Sequence, residues 1–155
     1  MRSWDKPPGP EILLTTLSHA SGLDLPAYAT DRSVGMDLAA AIENDILIEP
    51  GQTGLVPTGF MIAVPEGYEA QIRPRSGLAL EHGITVINSP GTVDPDYRGE
   101  IKVILINLGS DPFKISRGMR IAQMVVVPAV QVSIKVVDQL PATGRGEGGF
   151  GHSGK

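Results

Sequence analysis

Prolines at positions 50, 57, 65, 74, 90, 95, 112 and 128 cut the middle of this sequence into pieces too short for most helices. Each lacks the N–H that an interior helical turn must donate. Between the breaks lie β-branched and aliphatic runs: "DILIE", "FMIAV", "YEAQIR", "GITVIN", "IKVILIN", "MRIAQMVVV" and "VSIKVV". Short strands separated by turn signals predict an all-β sandwich or barrel. A parallel sheet would need helical crossovers, and the sequence offers almost none. One helix is expected, "SGLALEH" from Ser76 to His82, with Ser76 placed to cap it and Gly83 to end it. There is no internal repeat. The expected organisation is a mobile N-terminus over 1–10, one mostly antiparallel β domain over 11–142, and a Gly-rich C-terminal segment over 143–155.

A chain of 155 residues has room for one real core. Its 41% hydrophobic and 19% charged content belongs to globular chains, not disordered ones. A net charge of −4 leaves no basic footprint, so a nucleic acid polymer is not an expected partner. With no cysteine there is neither a disulfide frame nor a thiolate metal site. The opening "MRSWDKPPGP" lacks an apolar signal core, and no run of 18 apolar residues occurs. No membrane partner is therefore expected, and a cytoplasmic location is the default.

The last twelve residues, "GRGEGGFGHSGK", contain six glycines and include G-x-x-x-x-G-K from Gly149 to Lys155. A phosphate-cradling P-loop must follow a buried strand, open a helix and place Ser or Thr after the Lys. None of these conditions is met here. A floppy terminus is the plain reading. Against it, Phe150 stands where no core can reach it, and Arg145 sits among glycines that allow close approach to an anion. Such a tail suits folding down on a ligand.

Four internal stretches can carry chemistry. In "PGTVDPDYRGEIKVILIN", residues 90–107, turn residues lie between two strand patterns, which predicts a hairpin with an elaborated loop. Asp94 and Asp96 can be simple turn formers. Alternatively, Asp94, Tyr97 and nearby Asn88 can hold a base and sugar and leave one carboxylate to activate water. In "PRSGLA", Arg75, Ser76 and Gly77 precede or open the expected helix, as a plain cap or as an oxyanion site. Gln123, within the apolar "RIAQMVVV", is either a paired core amide or a ligand. Asp37 in "SVGMDLAAA" marks a turn or an anion near a metal. His19, His82 and His152 show no ligand spacing and no nucleophile partner.

In order, "GMDLAA", "PRSGLA", "GTVDPDYRGEIKVILIN", "RGMRIAQM" and "RGEGGFGHSG" resemble the five motifs of the homotrimeric deoxyuridine triphosphatases, or dUTPases. The resemblance spans residues 34–154. It implies a distorted, jelly-roll-like β barrel with one short helix and a flexible Gly-rich C-terminal arm. It also implies a homotrimer whose active sites are shared between subunits, the arm coming from a neighbour. The implied reaction is dUTP plus water giving dUMP and pyrophosphate, which limits uracil incorporation into DNA and supplies dUMP for thymidylate synthesis. Mg2+ is implied on the triphosphate. By resemblance, Asp94 activates the attacking water and Tyr97 packs against the deoxyribose, excluding a 2′-hydroxyl. Asn88 reads uracil. Arg75, Ser76, Gly77 and Gln123 hold phosphate oxygens or the water, so Ser76 and Gln123 join Asp94 as catalytic candidates. Asp37 acts on magnesium through coordinated water. In the arm, Phe150 stacks on uracil while Arg145, Gly151 and Ser153 grip the phosphate end. The arm departs from the family pattern in having His152 before Ser153 where Ser-Thr is usual.

An ionised Asp near neutral pH can take the proton of an attacking water, and no covalent intermediate is needed. Two rivals share the fold. A dCTP deaminase would carry an Arg-Ser-Ser stretch where this chain has "RSGLA". A non-catalytic trimeric regulator would have lost the carboxylate or the arm, whereas Asp94, Tyr97, Arg145 and Phe150 are all present.

Overall fold

A computed structural model describes residues 9–149. Ten strands and one α-helix follow in the order β1 (Leu13–Thr16), β2 (Met36–Ala39), β3 (Ile46–Ile48), β4 (Thr53–Ala63), β5 (Tyr68–Arg73), α1 (Ser76–His82), β6 (Ile84–Val86), β7 (Gly91–Val93), β8 (Glu100–Asn107), β9 (Phe113–Ile115) and β10 (Arg120–Pro128). They form two four-stranded sheets, β1-β4-β8-β6 and β2-β10-β5-β7, and a two-stranded ribbon, β3-β9. Every pairing is antiparallel. The all-β, jelly-roll-like fold is as expected, with its strands in three separate ladders and not one closed barrel.

Alternation explains which side chains build the core. Along β8, Ile101, Val103 and Leu105 are buried while Lys102 and Ile104 point outward, the period of two that a pleated strand imposes. These residues join Val56 of β4, Leu38, Ile72 and Met124 of the second sheet, and Ile48 and Ile115 of the ribbon in one cluster. Asn107 ends β8 fully buried. Its Nδ2 donates to the carbonyls of Ile48 (2.9 Å) and Asp111 (2.8 Å), and its Oδ1 accepts the Gly109 N–H (2.9 Å). A buried amide is tolerated here because each polar end is paired.

Pro57 sits inside β4 where the ladder with β8 breaks register between Pro57 and Met61. Within this bulge Gly59 has φ of +77°, and a Cβ there would overlap Ala20. That space seats a 3-10 turn, Ser18–Ala20, whose preceding residue Leu17 donates its N–H to the Gly59 carbonyl (2.8 Å).

Two expectations need correction. Ser76 is the first helical residue, not the cap. Arg75 takes the cap position and makes no side-chain capping bond, while Gly83 ends the helix in the left-handed region (φ 68°) as expected. "VSIKVV" is not a strand of the sheets: residues 131–137 are exposed and without regular structure, because no neighbouring strand among the described residues offers them a ladder. Conversely β1, β2, β7 and β9, of three or four residues each, were not anticipated. No helix among the described residues is long and apolar enough to cross a membrane.

Candidate functional site

The expected hairpin exists as β6 and β8, paired Val86 to Leu105. Its loop contains β7, which leaves for the other sheet and pairs with β5, Gly91 facing Ile72. Being tied to both sheets holds this loop open over a cleft of about 390 Å³ whose lining includes Asn88, Asp94, Tyr97 and Glu100. Asn88 lies just before β7 and Asp94 just after it, so three residue types read from the sequence as a set share one concave surface. A turn closes from the Tyr97 N–H to the Asp94 carbonyl (3.2 Å), and Arg98 Nη1 donates to the carbonyls of Pro95 (2.6 Å) and Tyr97 (2.8 Å). The Tyr97 hydroxyl donates to the Glu100 carbonyl (3.0 Å). The ring can fold back in this way because residue 99 is Gly, where a Cβ would overlap the tyrosine hydroxyl. Asp94 is exposed, and among the described residues its carboxylate has no hydrogen-bond or ionic partner. Such a group is free to accept from a water at the mouth of the cleft.

A second group forms on the other sheet. Asp37 of β2 pairs in register with Gln123 of β10, which in turn faces Arg73 of β5, two residues before Arg75. Arg75 Nε donates to Asp37 Oδ1 (2.9 Å), Arg120 Nη1 to Asp37 Oδ2 (3.1 Å), and Arg75 Nη1 to the Arg120 carbonyl (3.2 Å). Gln123 Nε2 donates to the Pro74 carbonyl (2.9 Å), fixing the chain just before Arg75. Ser76 and Gly77 stand exposed beside this cluster at the start of α1. Two guanidinium groups against one carboxylate leave a net positive charge, suited to phosphate oxygens. Arg120 was not singled out from the sequence. Its neighbour Gln123 drew attention because an amide is unusual in an apolar strand, whereas an Arg at a strand end is not.

The fit to a divalent cation is limited. No group of three or more His, Asp or Glu side chains able to hold a metal occurs among the described residues. Both oxygens of Asp37 already accept guanidinium bonds, although each keeps a lone pair that can accept from a metal-bound water. The site therefore suits a cation carried by an anionic ligand, not one caged by protein.

The two groups stay apart in one chain. Asp37, Arg75, Ser76, Gly77 and Gln123 do not line the cleft, and no hydrogen bond among the described residues joins them to Asn88, Asp94 or Tyr97. Arg145 is engaged locally, Nε to the Gly148 carbonyl (2.6 Å), and touches neither group. Phe150, Gly151 and Ser153 lie outside the described residues.

The family model for dUTPases matches residues 22–154. A deoxyuridine 5'-triphosphate nucleotidohydrolase of Sinorhizobium medicae is 58% identical over 147 residues, covering 94% of this chain and 92% of that protein. One from Beijerinckia indica is 57% identical over 150 residues, covering 96% and 94%. Among solved structures, a mutant dUTPase of the staphylococcal phage 80alpha superposes with a TM-score of 0.82 at 23% identity, over 92% of this chain and 98% of that one. A second mutant of that phage enzyme, bound to dUpNHpp, gives 0.79 at 23% identity over 94% and 99%. At that identity the likeness concerns the fold.

Proposed function

We propose a division of labour among these residues, given that the chain belongs to the dUTPase family and is an enzyme that hydrolyses dUTP to dUMP and pyrophosphate. The observation that carries the assignment is the unpartnered Asp94 carboxylate beside Asn88 and Tyr97 at one cleft. A water held by Asp94 attacks the α-phosphorus. Its proton passes to the carboxylate, the new P–O bond forms, and the bond to the α–β bridging oxygen breaks to release pyrophosphate. Asn88 pairs with the uracil edge, and the Tyr97 ring packs against the deoxyribose and crowds a 2′-hydroxyl. A site built to pair with uracil leaves polar groups unpaired against cytosine, which selects strongly.

Arg75, Ser76, Gly77 and Gln123 take phosphate oxygens or position the water. Arg145, Phe150, Gly151 and Ser153 close over the nucleotide from the C-terminal arm over 143–155. Mg2+ bound with the triphosphate would supply charge neutralisation there, with Asp37 accepting hydrogen bonds from its waters. The active unit is a homotrimer. The separation of the phosphate-binding group from the cleft within one chain supports a site completed across subunits. So does the exposed "VQVSIKV", residues 130–136, which alternates apolar and polar side chains and has no strand among the described residues to pair with. The enzyme acts on free nucleotide in the cytoplasm.

The test is pyrophosphate release from dUTP with Mg2+, beside dCTP, UTP, dTTP and ATP. Release from dUTP alone is expected. Equal release from dCTP or UTP would contradict the roles given to Asn88 and Tyr97.

A further inference from the structure

We propose that His19 is a positioning residue for the Tyr97 ring, acting through Glu100, and so contributes to the choice of deoxyribose over ribose. This rests on the reading of Tyr97 above. His19 Nε2 lies 2.6 Å from Glu100 Oε1, an oxygen that also accepts the Gly59 N–H (2.9 Å). With that oxygen acting as acceptor, the imidazole is the donor. Glu100 is thus fixed at both ends, its side chain by His19 and Gly59 and its carbonyl by the Tyr97 hydroxyl (3.0 Å). Lys102 also lies near it, with Nζ 3.7 Å from Oε2. Glu100 lines the same cleft as Asp94 and Tyr97.

The imidazole is not needed to hold its own turn. Arg117 Nη1 donates to the carbonyls of His19 (2.8 Å) and Ile42 (3.1 Å), and Nη2 to that of Ser21 (2.8 Å). The Leu17 N–H adds a bond to the Gly59 carbonyl (2.8 Å). Three of these bonds anchor the segment without the ring, which leaves the ring's one bond to serve Glu100. Tyr97 lies exposed in the turn before β8, with its hydroxyl as its sole side-chain hydrogen bond among the described residues. The ring's place over the sugar therefore depends on where the Glu100 carbonyl is held.

The experiment compares kcat/KM for dUTP and UTP in the full chain and in His19→Ala, His19→Gln, Tyr97→Phe, Tyr97→Ala and the double variant His19→Ala/Tyr97→Phe. His19→Ala should lower the dUTP/UTP ratio by about fivefold, the size of one hydrogen bond's net effect. His19→Gln, which keeps a donor, should recover most of it. In the Tyr97→Phe background His19→Ala should add nothing further, since the hydroxyl that reads the Glu100 carbonyl is already gone. Equal losses for both substrates, or additive losses in the double variant, would overturn the relay. An unchanged ratio in His19→Ala alongside a fallen ratio in Tyr97→Ala would overturn the relay alone. An unchanged ratio in Tyr97→Ala would overturn the role of Tyr97 and this proposal with it. Should His19→Ala fold poorly, Glu100→Ala breaks the side-chain link from the other end and must give the same fall in ratio.

Discussion

Replacing Ile134 by Asp tests the assembly on which a shared site depends. Val130, Val132, Ile134 and Val136 are 85%, 78%, 88% and 92% exposed, while Gln131, Ser133 and Lys135 occupy the alternate positions. A segment with one apolar face buries that face, and no partner for it occurs among the described residues. Burying an Ile side chain fully contributes about 1.5–3 kcal/mol. Asp forfeits that and adds the cost of removing a charge from water. With three equivalent contacts in the proposed trimer, a loss of about 4.5–9 kcal/mol weakens assembly by roughly 10³- to 10⁶-fold. Sedimentation over a wide concentration range, with dUTP turnover measured on the same samples, reads both effects. Ile134→Asp should shift to monomer and lose activity together, whereas Ser133→Asp, on the opposite face, should leave both unchanged. If Ile134→Asp assembled as tightly as the parent chain, or if the parent chain were an active monomer, the assignment of this face to a neighbouring subunit would be refuted.

Asp94→Asn should lower kcat by about 10²–10⁴-fold, the range for loss of a general base, with dUTP still bound in calorimetry. Because the carboxylate has no partner among the described residues, the variant's thermal unfolding should not move. Asn107→Asp should destabilise the chain in a pH-dependent way, since the introduced carboxyl would face the carbonyls of Ile48 and Asp111. Its folded pKa would rise above the unfolded value of about 3.9, so stability should fall as pH rises above that value, by up to about 1.4 kcal/mol per unit. Denaturant unfolding at several pH values would show the slope, and a flat profile would contradict the bonding scheme. Gly99→Ala should push the Tyr97 ring off its bond to Glu100 and lower the dUTP/UTP ratio, by severalfold if one hydrogen bond is lost. Deleting residues 144–155 should leave an assembled, folded protein with little turnover, and full activity in that variant would contradict the role of the arm.

Much of this protein was legible in its residues alone because local pattern encodes local geometry. Alternation along "IKVILIN" says which side chains face inward whatever lies opposite, and Gly83 ends a helix by its own backbone freedom. Asn88, Asp94 and Tyr97 sit within one loop, so their meeting at a cleft followed from the turn that joins them. The partners of distant residues were not legible. Asp37 and Arg120 are 83 positions apart, and His19 and Glu100 are 81 apart. Nothing near either residue in the sequence names its partner, because the pairing depends on which strands become neighbours. The same physics explains the one strand pattern that stayed without a ladder. "VSIKVV" states through its period that one face wants burial, but a period carries no information about whose surface provides it. Packing among the described residues leaves that face in water, and contact with a further surface is needed to satisfy it.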